Sequence, residues 1–314
     1  QGLLSLPQSP ALLASPVLGP VAKARALSEP LVRWTSTPEE TLDQFARRRF
    51  GEDAGSLIGW LMATGVFAGD PSDLSVAAAF PRMVELERRF GSVLRGALAR
   101  RRSGVAVRRQ AHVVDGGVAA LVDACSRLLG DRLVTSFEAT GVKSTDGGWE
   151  VTGGGVIESE HLVLANGAVV AARLIGAAIG GVLAAERAAP VSIVGIGGRG
   201  ADPLPGFGVL VGPGAHMRTR GITLESSYAP QTAPQGSYLI RAIVSPHRSE
   251  RFAGADTDPA DDVPAEGVSP EEIVREVEVI LGARLDPTLI EIVHHLPGIP
   301  QYRVGHVEWL EAID

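Results

Sequence analysis

The spacing of apolar residues changes twice along this chain, and that change restricts the fold more than any single motif does. Over the first hundred residues the spacing is helical. Thr37-Pro38-Glu39-Glu40 predicts a capped helix start, with Leu42, Phe45 and Ala46 sharing a face and Gly51 as the stop. Leu57, Ile58, Leu61 and Met62 predict a second helix ending at Thr64-Gly65, followed by a Gly69-Asp70-Pro71 turn. Met83, Leu86, Phe90, Leu94 and Ala97 predict one long helix from Pro81 to Arg102. From Val105 the pattern is mixed. Asp115-Gly116-Gly117 leads into a helix with Val118, Leu121, Val122, Cys125 and Leu128 on one face, closed by Gly130. Short strands are expected over 132–137, 140–144 and 149–152, a buried strand over 161–165, and a small-residue helix over 168–186. After Pro190 the period is two. Strands are expected over 191–196, 208–211, 222–226, 238–244 and 289–294, with one helix opened by Ser269-Pro270-Glu271-Glu272 and ended by Gly282. The order points to an α+β protein: a helical segment (1–109), a mixed segment (110–185) and a mostly antiparallel sheet with one helix (186–314).

Composition narrows the function. With 314 residues the chain has room for about two domains. A net charge of −7 argues against broad nucleic-acid binding. One cysteine excludes an internal disulfide and a cysteine-rich metal cage. No signal peptide is visible, and a start at Gln1 rather than Met suggests processing or a fragment. The best membrane-span candidate, Leu162 to Ala185, is interrupted by Asn166, Gly167 and Arg173.

The local motifs are weak. Gly195-Ile196-Gly197-Gly198-Arg199-Gly200 satisfies the dinucleotide pattern, but Pro203 and Pro205 are incompatible with the helix interior that must follow. A glycine-rich strand exit is the better reading. Asp256, Asp258, Asp261 and Asp262 lack calcium-loop spacing and read as a solvated loop. His294 and His295 are adjacent on an expected strand, so they point to opposite faces, one packed and one solvated. Cys125, on an apolar helix face, is expected to be buried and inert. Arg95, Arg100, Arg101, Arg102, Arg108 and Arg109 form a cationic cluster suited either to anionic headgroups or to a solvated helix end. No nucleophile elbow, Walker loop or zinc-protease motif is present.

Two stretches are more specific. The first contains Phe45-Ala46-Arg47-Arg48-Arg49-Phe50-Gly51, Gly65-Val66-Phe67-Ala68-Gly69-Asp70, Leu74-Ser75 and Ala79-Phe80-Pro81. The second is Ile299-Pro300-Gln301-Tyr302 with Gly305-His306. In this order they resemble the flavin-dependent protoporphyrinogen oxidases and their coproporphyrinogen-oxidising branch, within the amine-oxidase-like flavoproteins. The family's two terminal glycine-rich flavin segments have no match here, so the resemblance is to its central region. It implies a helical substrate and membrane-associating domain (1–109), the middle part of an FAD-binding domain (110–185) and a substrate-domain sheet (186–314).

The implied cofactor is FAD and the implied reaction is oxidation of protoporphyrinogen IX by molecular oxygen, with hydride leaving a methylene bridge for the flavin. The alternatives are coproporphyrinogen III oxidation, or a non-catalytic homologue that keeps a tetrapyrrole or membrane surface without flavin. No protein nucleophile is expected. For the cofactor the resemblance implies Ala139, where relatives carry a valine whose backbone meets the adenine, and His295, where relatives often carry a tryptophan. For the substrate it implies Thr64 and Gly65 at a turn bordering the pocket, Leu210 against the macrocycle, and Tyr228 and Ala229 near the family's stacking aromatic. It also implies a cytoplasmic protein with peripheral contact to the inner face of the cell membrane, a homodimer, and no metal.

Overall fold

The computed structural model describes residues 17–34, 39–102, 112–176, 180–181, 183, 187–200, 205–212, 215, 217–245 and 269–313. They form two compact units. One combines the N-terminal segment to Gln110 with Ala188–His306, and the other holds Ala111–Arg187 and the C-terminal end.

The first unit begins with six helices: α1 (Pro20–Leu27), α2 (Leu42–Phe50), α3 (Glu52–Phe67), α4 (Val76–Ala79), α5 (Pro81–Phe90) and α6 (Val93–Arg102). The start of α2 lies later than expected. Thr41, not Thr37, caps it, and Gln44 reciprocates in a full capping box (Gln44 N–H to Thr41 Oγ1, 3.2 Å; Thr41 N–H to Gln44 Oε1, 3.1 Å). Helix α3 runs on through Thr64-Gly65 and stops only where Ala68 turns left-handed at φ 47°. The expected Pro81–Arg102 helix is two helices, broken at Gly91 (φ 67°) and Ser92.

A buried carboxylate explains that break. Glu29 accepts from Ser92 Oγ and from the amides of Val93 (3.0 Å) and Leu94 (3.2 Å), so it caps α6. Its charge is balanced by the fully buried Arg49, which also binds Glu87 (3.0 Å) and the carbonyls of Val32 and Gly91. Arg48 joins Glu40 to Glu87. Burial works against the Arg48 charge, but its hydrogen bonds to these two carboxylates outweigh that and raise its pKa above the ordinary arginine value. Removing one partner from such a buried pair costs about 3–5 kcal/mol.

The helical core contains Leu42, Phe45, Phe50, Ala63, Phe67 and Leu74, and it is finished by residues from the other end of the sequence, Ile299 and Tyr302. The two family-like motifs meet here. The Gln301 amide donates to the Phe67 carbonyl (2.8 Å) and the Ile299 carbonyl (2.9 Å), and its side chain fills the place a Cβ on Gly69 would take. Tyr302 packs on Phe67 (5.3 Å) and stacks on His306 (4.4 Å), and its carbonyl accepts from Ser75 N–H.

The sheet of the first unit has five antiparallel strands in the order β5-β6-β7-β4-β8. These are β4 (Ala188–Arg199), β5 (Gly208–Leu210), β6 (Thr219–Leu224), β7 (Ser237–Val244) and β8 (Pro287–Pro300). Between β6 and β7 lies the short helix α9 (Glu225–Tyr228), and α10 (Pro270–Leu281) precedes β8. Ser269 caps α10 and Gly282 ends it in a left-handed turn, as expected. Val194, Ile196, Ile222, Leu224, Ile240, Ala242 and Val244 project from one sheet face onto Ile273, Val274, Val277 and Leu281 of α10. The Gly195–Arg199 stretch is strand interior, paired to β7 on one side and β8 on the other. The Gly195–Gly200 pattern is therefore no dinucleotide turn, and the strand exit is confined to its last two residues, Arg199 and Gly200. The four acidic residues 256–262 lie outside the described residues, as do Arg108 and Arg109.

The second unit holds a three-stranded antiparallel sheet, β1 (Gly141–Thr145), β2 (Gly148–Thr152) and β3 (Val156–Ser159), with α7 (Val118–Leu129) and α8 (Ala168–Leu174). Several expectations fail here. Residues 132–137 and 161–165 are irregular rather than strands, and 161–165 are not buried. Helix α8 stops at Leu174. The apolar stripe of α7 forms as expected, yet none of its residues is buried; Leu128 is 79% exposed and Cys125 is exposed too. Period alone creates a stripe, but burial needs a partner surface, and none covers it among the described residues. A final short helix, α11 (His306–Glu311), closes the chain.

Candidate functional site: an open sheet face floored by glycine

The strand register arranges the sheet face opposite α10 into three rows. The first runs Leu210, Gly221, Ile243, Ile193, Val293. The second runs Gly208, Thr223, Arg241, Gly195, Glu291. The third runs Leu239, Gly197, Leu289. Apolar rows thus flank one polar row, and glycines occupy the lane between them.

Gly195 is informative because nothing inside the chain demands it. Its φ is not in the left-handed region, and an added Cβ would find only the Glu291 carbonyl at 3.8 Å. A glycine inside a strand weakens it by about 0.5–1 kcal/mol relative to alanine. Where the fold gives no reason for that cost, close approach of a ligand or another backbone is the usual one. By contrast, Gly208 is held by its own fold, because a Cβ there would strike the Ile222 carbonyl.

Helix α3 borders the face at the β5 end. A Cβ on Gly65 would lie 3.4 Å from Leu210 Cδ1. The Trp60 indole donates to the Val211 carbonyl at 3.3 Å, fixing α3 beside that strand. Thr64 is buried, and its hydroxyl has no hydrogen-bond partner among the described residues. Thr64, Gly65 and Leu210 are therefore brought together, although about 145 residues separate the helix from the strand.

Tyr228, at the end of α9, packs its ring on Phe207 (4.8 Å, 30° between planes). Its hydroxyl donates to Glu225, a buried carboxylate that also accepts from Thr223 Oγ1 (2.6 Å). Burial, the bond to Glu225 and its charge push the Tyr228 phenol up to about 12, with Arg241 opposing. It is a neutral donor at ordinary pH. Ala229 is buried and serves packing. His295 pairs with Val191 beyond the first row, and it and its neighbour His294 are both exposed; His294 Nδ1 lies 2.8 Å from Ser192 Oγ. The expectation of one packed histidine is corrected accordingly. Ala139 lies in the other unit, in coil just before β1, half-buried; its N–H makes no hydrogen bond among the described residues. No group of three or more His, Cys, Asp or Glu among the described residues could hold a metal.

Arg241, Glu225 and Phe207 were missed as site residues. The signal for Arg241 was present: in Ser237–Val244 it stands alone among aliphatic neighbours, on the face opposite Tyr238, Ile240, Ala242 and Val244.

A family model described as flavin containing amine oxidoreductase matches residues 17–278. Protoporphyrinogen oxidase from Bos taurus is 28% identical over 298 residues, covering 88% of this chain and 61% of the relative. Protoporphyrinogen oxidase 1, chloroplastic, from Arabidopsis thaliana is 26% identical, covering 87% of this chain and 56% of the relative. The chain thus spans about three fifths of the length of the curated relatives it matches. Among solved structures, an Exiguobacterium protein provisionally named a protoporphyrinogen oxidase superposes with a TM-score of 0.75 at 20% identity, covering 98% of this chain and 67% of that one. A reduced UDP-galactopyranose mutase gives 0.64 at 15%, covering 94% and 63%. The fold is that of an amine-oxidase-like flavoprotein, and FAD is the cofactor that goes with it. By the extent of the family match, this chain belongs to the flavin containing amine oxidoreductases.

Proposed function

We propose that this chain carries the substrate chamber of an FAD-dependent protoporphyrinogen oxidase that uses molecular oxygen as acceptor. The observation that carries the reading is the flat sheet face itself: glycine in its middle lane, aliphatic rows on both sides, and Gly65 against Leu210 at one edge. A porphyrinogen is a broad, mostly apolar macrocycle with carboxylates at its rim, and a wide apolar slot with few polar groups suits it. The named relatives support the same substrate class.

The residues present fit part of FAD. The Ala139 amide, which makes no hydrogen bond among the described residues, suits a hydrogen-bonding ring edge. The Gly195–Gly200 pattern supplies no pyrophosphate cradle, because its first five residues are strand. When bound, FAD accepts the hydride that the macrocycle loses. The chain's own part is to orient and to exclude water. Leu210, Ile243, Ile193 and Val293 present apolar surface to one rim, and Leu239 and Leu289 to the other. Phe207 and Tyr228 stand at the β5 edge as a ring pair.

We also infer a peripheral contact with anionic membranes through the arginine-rich end of α6, as part of the same reading. No helix among the described residues is long and apolar enough to cross a membrane.

The test is porphyrin binding. Protoporphyrin IX titrated into the protein should quench tryptophan fluorescence saturably, and Gly195→Leu, which fills the lane, should weaken binding by tenfold or more. Oxidation of protoporphyrinogen, followed by porphyrin fluorescence in the presence of FAD, should fall with it. Titration with coproporphyrin in parallel separates the two substrate branches. Non-saturable quenching, or quenching indifferent to Gly195→Leu, overturns the reading.

A further inference from the structure

Arg241 is out of place in an apolar chamber. It sits in the middle row of the open face, with Leu239 and Ile243 two residues away on the same strand and the same side. Its side chain is 52% exposed. Its one charged partner among the described residues is Glu225, whose Oε1 lies 3.5 Å from Nε. That carboxylate is already engaged by the Thr223 and Tyr228 hydroxyls. Glu225 therefore lies beside the Nε of the guanidinium, and about half of the arginine side chain is exposed. An arginine fork is suited to a carboxylate, which it can take through two parallel N–H···O bonds.

The surroundings also give a direction. Across the sheet from Arg241 come Gly195 and then Glu291, which is exposed. Two strand spacings separate them, about 9.6 Å between Cα atoms. A carboxylate is drawn to the Arg241 side of the lane and repelled from the Glu291 side, so an anionic, otherwise apolar ligand gains one preferred orientation.

We propose that Arg241 is a carboxylate-binding residue of the chamber, paired with Glu225, that anchors a rim carboxylate of the macrocycle and so sets which edge lies over the Gly195 lane. The proposal rests on the functional reading above and adds a substrate-orienting residue to it.

The experiment compares protoporphyrin IX with its dimethyl ester, both delivered from the same detergent, by fluorescence titration of the protein and of Arg241→Gln and Arg241→Lys. The diacid should bind the parent about tenfold more tightly than the diester, the value of one charge-assisted hydrogen bond. Arg241→Gln should erase that preference while leaving diester affinity unchanged, and Arg241→Lys should restore part of it. Equal affinity of the parent for acid and ester overturns the proposal, as does a preference that survives in Arg241→Gln. A parent that binds neither porphyrin overturns the chamber reading instead, so the two failures are distinct. If Arg241→Gln does not fold by circular dichroism, the acid-to-ester ratio of the parent and of Arg241→Lys decides alone: parity in both rejects the anchor.

Discussion

The two faces of the five-stranded sheet share every strand and every register, yet they are built by opposite rules. Toward α10, Val194, Ile196, Ile240, Ala242 and Val244 fill the space to closure, and Ile240 is 0% exposed. On the other side, the residues between them are Ile193, Gly195, Gly197, Leu239, Arg241 and Ile243. Volume has been withdrawn from the middle and a cation inserted. One face is therefore built for stability and the other gives stability up.

The comparison can be broken most sharply on the closed face. Ile240→Ala should cost about 2–5 kcal/mol in denaturant unfolding, because the site is fully packed and cannot collapse. It should leave porphyrin selectivity between acid and ester intact. A small loss would mean that the α10 face is not the core it looks to be. The middle of the open face should respond with the opposite sign. Gly195→Ala should raise stability by about 0.5–1 kcal/mol, since the new methyl meets nothing closer than 3.8 Å, while porphyrin affinity falls. Lower stability together with unchanged affinity would remove the functional reason for this glycine. The finest probe is the rim. The Tyr228 phenol is held near 12 against an ordinary value of 10, so the folded state keeps its proton after the unfolded state has lost it. Its contribution to stability is present below about pH 10 and disappears as pH rises toward about 12. Burial raises the Tyr238 phenol as well, so absorbance titration near 295 nm should show more than one late phenol, and Tyr228→Phe should remove one of them. A Tyr228 that titrates at the ordinary value would show that Glu225 does not hold it.

How much of this could be read from the residues depends on range. The period-two pattern after Pro190 placed the strands, and Ser269 with Gly282 placed α10 at both ends, because caps and alternation are local. The break at Gly91-Ser92 was not readable: a lone glycine costs a helix only about 1 kcal/mol, and what fixes the break is Glu29, sixty-three residues away and buried. The sequence pointed to Thr37, outside the described residues, as the cap of α2, and the cap is Thr41. The stripe on α7 is legible as periodicity, but its exposure is not, because burial depends on a partner surface far away in sequence. The strand expected over 132–137 finds no pairing partner among the described residues and is irregular. At the site, Gly65 and Leu210 came from the family likeness rather than from any spacing, whereas the orientation of Arg241 follows from alternation once α10 is known to cover the other side.

Gln301 has a wider consequence. It reaches the Phe67 carbonyl across 234 positions, and Gly305 N–H reaches Glu39 across 266. During synthesis the helices of the first hundred residues leave the ribosome long before Ile299 and Tyr302 are made, so they wait with an unfinished core. Contacts of that span slow folding and lengthen the time in which greasy surface invites wrong partners. A nascent chain arrested ahead of residue 299 would accordingly be a chaperone client, and the last strand the latch that releases it.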